Sequence, residues 1–188
     1  MKYLISTLAI LITFSCKSQI ISLEDAAQCY NNPNCPDYNY KKDINNSLDK
    51  YIGAWQGTYD GKIYELNLKK GLYEDMGRKS DDLKGRLRIT TQSQNITVFD
   101  NFNELNDEKT NFSGLGFIPN LKSYEMYFSG PTPQGCINYG SLFLTIKPNN
   151  LNEMTIMYWS DKDIVIGDCP SSFSQTFPEK KSITLTKQ

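Results

Sequence analysis

Asp60-Gly61 separates two alternating runs, and this dipeptide constrains the chain more than any other feature. A two-residue hairpin turn of type I′ needs φ > 0 at both central positions, which Asp and Gly tolerate. Residues 53–59 and 62–70 are therefore predicted to pair as antiparallel strands, with Tyr59 facing Lys62, Gly57 facing Tyr64, Trp55 facing Leu66 and Gly53 facing Leu68. That register gathers Trp55, Tyr64, Leu66 and Leu68 on one face and Gln56, Thr58, Glu65, Asn67 and Lys69 on the other. A slip of one residue would turn the whole apolar set toward water.

The alternation continues downstream. Residues 71–80 read as a mixed loop, after which Leu83, Gly85, Leu87 and Ile89 alternate with Lys84, Arg86, Arg88 and Thr90. The basic side chains of that run are read as the solvated face of a strand rather than a docking stripe. Ile96 and Val98 alternate with Thr97 and Phe99; 115–118 reads as a short strand. Tyr124, Met126 and Phe128, then Leu142, Leu144 and Ile146, then Met154, Ile156 and Tyr158 repeat the pattern. A short strand at 164–166 and a last one around Ile183 and Leu185 end the series. About nine candidates with no βαβ alternation predict an antiparallel sheet. Consecutive strands joined by short turns close best as an all-β, up-and-down barrel, which removes sheet edges; a β-sandwich is the alternative. At about eight strands the interior is just filled by side chains or holds one small ligand.

Upstream of the hairpin, Ser22-Leu23-Glu24-Asp25 forms a capping-box pattern with Asp at the third helical position, predicting a short helix to about Cys29. Residues 43–51 are expected to form a second short helix, with Ile44, Leu48, Tyr51 and Ile52 on one face, plugging one barrel end.

The first residues read as an address. Met1-Lys2 is a positive start and residues 4–14 are largely apolar, too short for the roughly 20 residues that span a bilayer. Cys16 follows Ser15 directly after that run, which resembles a bacterial lipoprotein signal. The resemblance implies cleavage before Cys16 and acylation of that residue, although Thr13 and Phe14 depart from the usual Leu and small residue. The expected organisation is a signal peptide over 1–15, a lipidated N-terminus, linker and short helices over 16–50, and a barrel domain over 51–188. The chain is expected to be exported and membrane-anchored through Cys16, in the outer membrane facing the periplasm; plain secretion is the alternative.

Five cysteines are an odd number; setting Cys16 aside leaves Cys29, Cys35, Cys136 and Cys169. An exported chain meets an oxidising compartment, and four cysteines allow three connectivities. Cys29–Cys35 and Cys136–Cys169 are the expected pairs, the first closing a small Pro/Asn loop and the second joining two long loops. The spacings lack the C-x₂₋₄-C pair of a zinc site. Glu104, Asp107 and Glu108 lack the spacing and glycine of a calcium loop. Neither a metal nor a cofactor is expected.

The chain has no histidine, which excludes Ser-His-Asp and Cys-His catalysis and every His-ligated metal. Catalysis would need two carboxylates or a Ser-Lys pair; Glu65 with Asp75, or Asp161 with Asp163, are simpler as solvated charges. Twenty basic residues balance 21 acidic ones, so no net field favours nucleic acid.

Gly53-Ala54-Trp55-Gln56-Gly57, opening the first strand after a short helix, resembles the G-x-W motif of lipocalins and related calycin barrels. In those families the Trp closes one barrel end. The order of a lipobox-like cysteine, a short linker, Tyr51-Ile52-Gly53-Ala54-Trp55-Gln56-Gly57, Asp-Gly and Leu-x-Leu-Lys also resembles an uncharacterised family of small lipoproteins common in flavobacteria. That resemblance carries no activity with it. The expected role is a non-catalytic interaction or accessory module of the envelope, contacting a protein partner through loops 130–138 and 160–179. The alternative is binding of a small apolar or amphipathic ligand inside the barrel, lined by Trp55, Tyr64, Leu66, Tyr124, Phe128, Ile156 and Tyr158.

Overall fold

A computed structural model describes residues 20–188, with residue 31 left out. The expected signal peptide and Cys16 lie outside the described residues. The elements are β1 (Ile20–Ser22), α1 (Leu23–Gln28), β2 (Tyr40–Lys42), β3 (Gly53–Tyr59), β4 (Lys62–Asp75), β5 (Arg78–Thr91), β6 (Thr97–Asp100), β7 (Phe112–Phe117), β8 (Tyr124–Ser129), β9 (Tyr139–Lys147), β10 (Asn150–Ser160) and β11 (Ser182–Lys187). Short 3-10 turns occupy Asp49–Tyr51 and Asp107–Thr110.

The first hairpin has the register set by its turn, from Tyr59↔Lys62 to Gly53↔Leu68. Asp60 and Gly61 adopt φ of 48° and 67°, as a type I′ turn demands. From there each wall strand pairs with the next in sequence, and β11 returns to β3 through Thr186↔Gln56 and Lys187↔Trp55. The result is a closed, antiparallel, up-and-down barrel of eight strands. One wall position is split: β6 pairs with β5 at Arg88–Thr90, and β7 takes over at Lys84↔Ser113. The eleven residues between them, 101–111, leave the wall and lie across the outside of β5.

Both barrel ends are stoppered by side chains. At the end where β3 starts, Leu48 and Tyr51 are fully buried, and the Trp55 indole N–H donates to the Tyr51 carbonyl oxygen at 2.8 Å. At the other end Phe177, also fully buried, packs on Tyr64, Phe128 and Tyr158 with ring centroids 6.0, 5.0 and 5.7 Å away. Between the stoppers runs one continuous apolar core. The Ser22 cap is in place: its hydroxyl oxygen accepts from the Asp25 N–H at 3.0 Å and opens α1. The two disulfides are Cys29–Cys35 and Cys136–Cys169.

Several local expectations are corrected. Residues 71–80 are not a loop: β4 and β5 run on to a two-residue turn at Met76-Gly77, where both φ values are positive. The extension protrudes beyond the core, so neither face carries the apolar alternation that marks a strand. The helix expected over 43–51 shrinks to one 3-10 turn, because Asn46 takes φ of 55° and the Asp43 carboxylate draws the Ser47 and Leu48 N–H groups. Ile44 is exposed, while the plug role falls to Leu48 and Tyr51. In β6 the inward residue is Phe99, opposite Ile89; Val98 faces out, and Ile96, just before the strand, is exposed. Residues 164–166 form no strand. Two short parallel strands, β1 and β2, extend the sheet from the outer end of β5.

The basic face of β5 is largely covered, against the expectation of a solvated face. Arg86 donates to the Glu104 carbonyl and to the Asp107 carboxylate at 2.8 Å. Arg88 pairs with Asp100 and Glu65 and stacks over the Phe102 ring. Lys84 is 5% exposed. Segment 101–111 supplies most of these partners, a long-range contact that alternation alone does not reveal.

Candidate functional site

The seven residues expected to line a ligand cavity all point into the barrel. Trp55, Tyr64, Leu66, Tyr124, Phe128, Ile156 and Tyr158 are each no more than 2% exposed and belong to the one core cluster. Their rings meet one another and the stoppers, as Phe128 does Tyr158 edge-on at 6.5 Å and Tyr64 does Phe177 in a stack at 6.0 Å. The Tyr124 hydroxyl oxygen accepts from the Leu83 N–H at 3.2 Å. Burial pushes the Tyr64 phenol up to about 12, with the Asp60 charge adding to it. Tyr51 and Tyr158 are driven up further, chiefly by burial, and their hydroxyls are buried with no hydrogen-bond partner among the described residues.

At the Phe177 end, two long loops are tied together. Cys136 and Cys169 join them with Cα atoms 4.7 Å apart. The Asn138 side chain donates to the Thr176 hydroxyl at 2.9 Å and accepts from the Thr176 N–H at 2.8 Å. It also reaches the Pro131 carbonyl at 2.9 Å, and Gln175 donates to the Ile137 carbonyl at 3.2 Å. The Glu179 carboxylate accepts from the Ser160 N–H at 2.9 Å. These ties seat Phe177 in the barrel mouth. The rest of the same loop stays outside: Ile164 is 100% and Ile166 83% exposed, close in sequence to half-exposed Trp159.

Of the carboxylates considered for catalysis, Asp161 and Asp163 both lie near Tyr127 and Tyr139, whereas the other two are far apart. Glu65 and Asp75 share β4 but lie ten residues apart, about 33 Å along a strand, far beyond the reach of a catalytic pair. Asp161 accepts from the Tyr127 hydroxyl at 2.8 Å. Among the described residues no group of three potential metal ligands converges.

A cleft of about 720 Å³ lies outside the barrel, against the protruding β4–β5 hairpin. Its floor is the outer face of β5, where Ser80, Asp82 and Lys84 are 3%, 4% and 5% exposed. The hydroxyl of Ser80 donates to Asp82 at 2.6 Å. Burial holds the Asp82 carboxyl above its ordinary range, opposed by the Ser80 hydrogen bond and by the charges of Lys41 and Lys84. Segment 107–115 and strand β2 complete the walls. Asp81 fixes β2 there by accepting from the Tyr40 hydroxyl at 2.7 Å and from the Asp43 N–H at 2.9 Å.

A protein-family model, described as a family of unknown function (DUF6705), matches residues 1–136. The chain belongs to that family. The DUF6705 match takes in Cys16, the Trp55 motif, the hairpin cleft and the wall through β8, and it stops at Cys136. No curated protein and no solved structure matches the chain.

Sequence reasoning did not find Phe177, Asn138 or Thr176, nor the cleft. A single Phe among Ser, Thr and Pro has no periodicity to betray burial. The alternation of Ser80, Asp82 and Lys84 marks a polar strand face whether or not something covers it.

Proposed function

We propose that this domain is a non-catalytic interaction module of the bacterial cell envelope, tethered through a lipid on Cys16 and engaging a protein partner through the Phe177 end. The observation that carries this reading is the contrast within one loop. Phe177 is anchored in the core, while Ile164 and Ile166 of the same tied segment stand in solvent. A fixed base under an exposed apolar tip suits partner contact, because little chain entropy remains to be lost on docking. The filled interior fits a scaffold role for the barrel.

Expression of the full chain in a Gram-negative host tests both halves. A clickable fatty acid should label the wild type and fail to label Cys16→Ser. A photo-crosslinking residue at 164 or 166 should capture one defined envelope protein that the same residue at position 62 does not. Equal capture at all three positions would refute the loop as contact surface.

A second reading has one observation in its favour. The buried, unpaired hydroxyls of Tyr51 and Tyr158 are two polar handles in an apolar wall, as an amphipathic ligand would use. Native mass spectrometry of the mature domain, purified from its envelope, separates the readings. A reproducible adduct of small-molecule mass would favour the carrier.

A further inference from the structure

We infer that the cleft beside the β4–β5 hairpin is a saccharide-binding site, with Lys84 and Asp82 as its central donor and acceptor and Tyr73 as its stacking surface. This does not rest on the protein-partner reading, which concerns the opposite barrel end.

Lys84 is the decisive residue. Only 5% of the residue is exposed, and its ammonium lines the cleft beside the Asp82 charge, with no hydrogen bond or ion pair to any described residue. The stem is held in place. A Cβ on Gly71 would sit 2.8 Å from Lys84 Cγ, so glycine there leaves the channel in which the stem lies. The ammonium rests 5.5 Å from the centroid of the Tyr73 ring. Asp82 shares the same face two residues away, about 7 Å along a strand, a span on the order of one sugar ring. Ser80 uses its hydroxyl hydrogen on Asp82, which leaves its lone pairs free.

Charge selects the class of ligand. Lys79 is paired with Glu74, and Asp107 with Lys69 and Arg86. What remains at the rim is balanced, Lys41 and Arg78 against Asp75 and Glu108. A phosphate dianion would meet the Asp82 carboxylate beside Lys84. An apolar ligand would strip solvent from both charges and return no hydrogen bonds. Sugar hydroxyls both donate and accept, so neighbouring hydroxyls can satisfy Asp82 and Lys84 together. The half-exposed rings of Tyr73 and Tyr38 can cover the C–H face.

The test titrates the full chain, monitored by amide NMR shifts. One arm uses free glucose, N-acetylglucosamine and galacturonic acid; a second uses short oligosaccharides of the same units; inorganic phosphate is the comparison. The expected result is saturable binding of at least one sugar, with shifts confined to residues 73–84 and 107–115. Lys84→Met and Asp82→Asn should each weaken it about tenfold or more, the loss of a charge-assisted hydrogen bond. Tighter binding in the second arm would identify a polymer, rather than free sugar, as the source. Should Lys84→Met fail to fold, Tyr73→Ala on the protruding hairpin should still weaken binding. No sugar binding by folded wild type, binding indifferent to all three substitutions, or phosphate binding alone would overturn the assignment. Substitution of Ile164 should leave sugar binding intact, so failure of the partner reading is distinguishable.

Discussion

Asn138 and Thr176 hold each other by two hydrogen bonds, side-chain amide to hydroxyl at 2.9 Å and backbone N–H to side-chain oxygen at 2.8 Å. Thirty-eight residues separate them in the chain. Both are buried, at 2% and 7% exposure, and Thr176 directly precedes the Phe177 stopper. The pair makes the long loop part of the barrel rather than an appendage to it.

Removing one partner should therefore be costly. Asn138→Ala leaves the buried Thr176 N–H without its acceptor, and each such orphaned group costs about 1–3 kcal/mol. Urea unfolding should show that loss with the slope nearly unchanged. Thr176→Ser, which keeps both bonds, should cost well under half as much.

The two ends of one loop should respond oppositely. Phe177→Ala opens a cavity among Tyr64, Phe128 and Tyr158, at a cost of about 3–5 kcal/mol. Ile164→Ala removes a side chain in solvent and should change stability by about 0.5 kcal/mol or less. Paired thermal melts of the two variants check the contrast.

Reduction should loosen the same end. The Cys136–Cys169 bridge spans a sequence separation of 33, and bridges closing loops of that order contribute about 2–4 kcal/mol. Cys136→Ser with Cys169→Ser should lower the melting temperature and speed hydrogen exchange over 161–181 more than in β3 or β4. Intact mass of the oxidised chain should fall by two hydrogens for each of the two bridges.

Two acids should shape the acid limb in opposite senses. Hydrogen bonds from Lys69 and Arg86 hold the Asp107 carboxyl below its ordinary value, against a smaller effect of burial. Its folded pKa lies below the unfolded one. That contribution is complete above the unfolded pKa and is lost as pH falls through the folded value. Asp82 is shifted upward by burial, so its cost is complete above its folded pKa and is relieved as pH falls through it. At pH 7, Asp107→Asn should lower the melting temperature. Asp82→Asn should leave it unchanged or raise it. Both differences should shrink toward pH 3, as measured by calorimetry.

The sequence by itself determined the wall. Asp60-Gly61 set the hairpin register from Tyr59↔Lys62 onward, because only φ > 0 residues make that turn and only one register buries Trp55, Tyr64, Leu66 and Leu68 together. Period-two alternation then placed Tyr124, Met126, Phe128, Leu144 and Ile156 inside, because burial on one face of a strand is a local property of the chain. Tertiary structure decided what lies over the wall and across its ends. Phe177 is buried only because Asn138, 39 residues away, holds its loop in the barrel mouth. Lys84 is buried only because segment 107–115, strand β2 and the protruding hairpin surround a strand face that reads as solvent-exposed. Phe99, too, faces inward because its pairing with the buried Ile89 of β5 sets the register, against the faces that alternation implied. Contacts between distant segments leave no period in the sequence, and in this protein the candidate surfaces are made of such contacts.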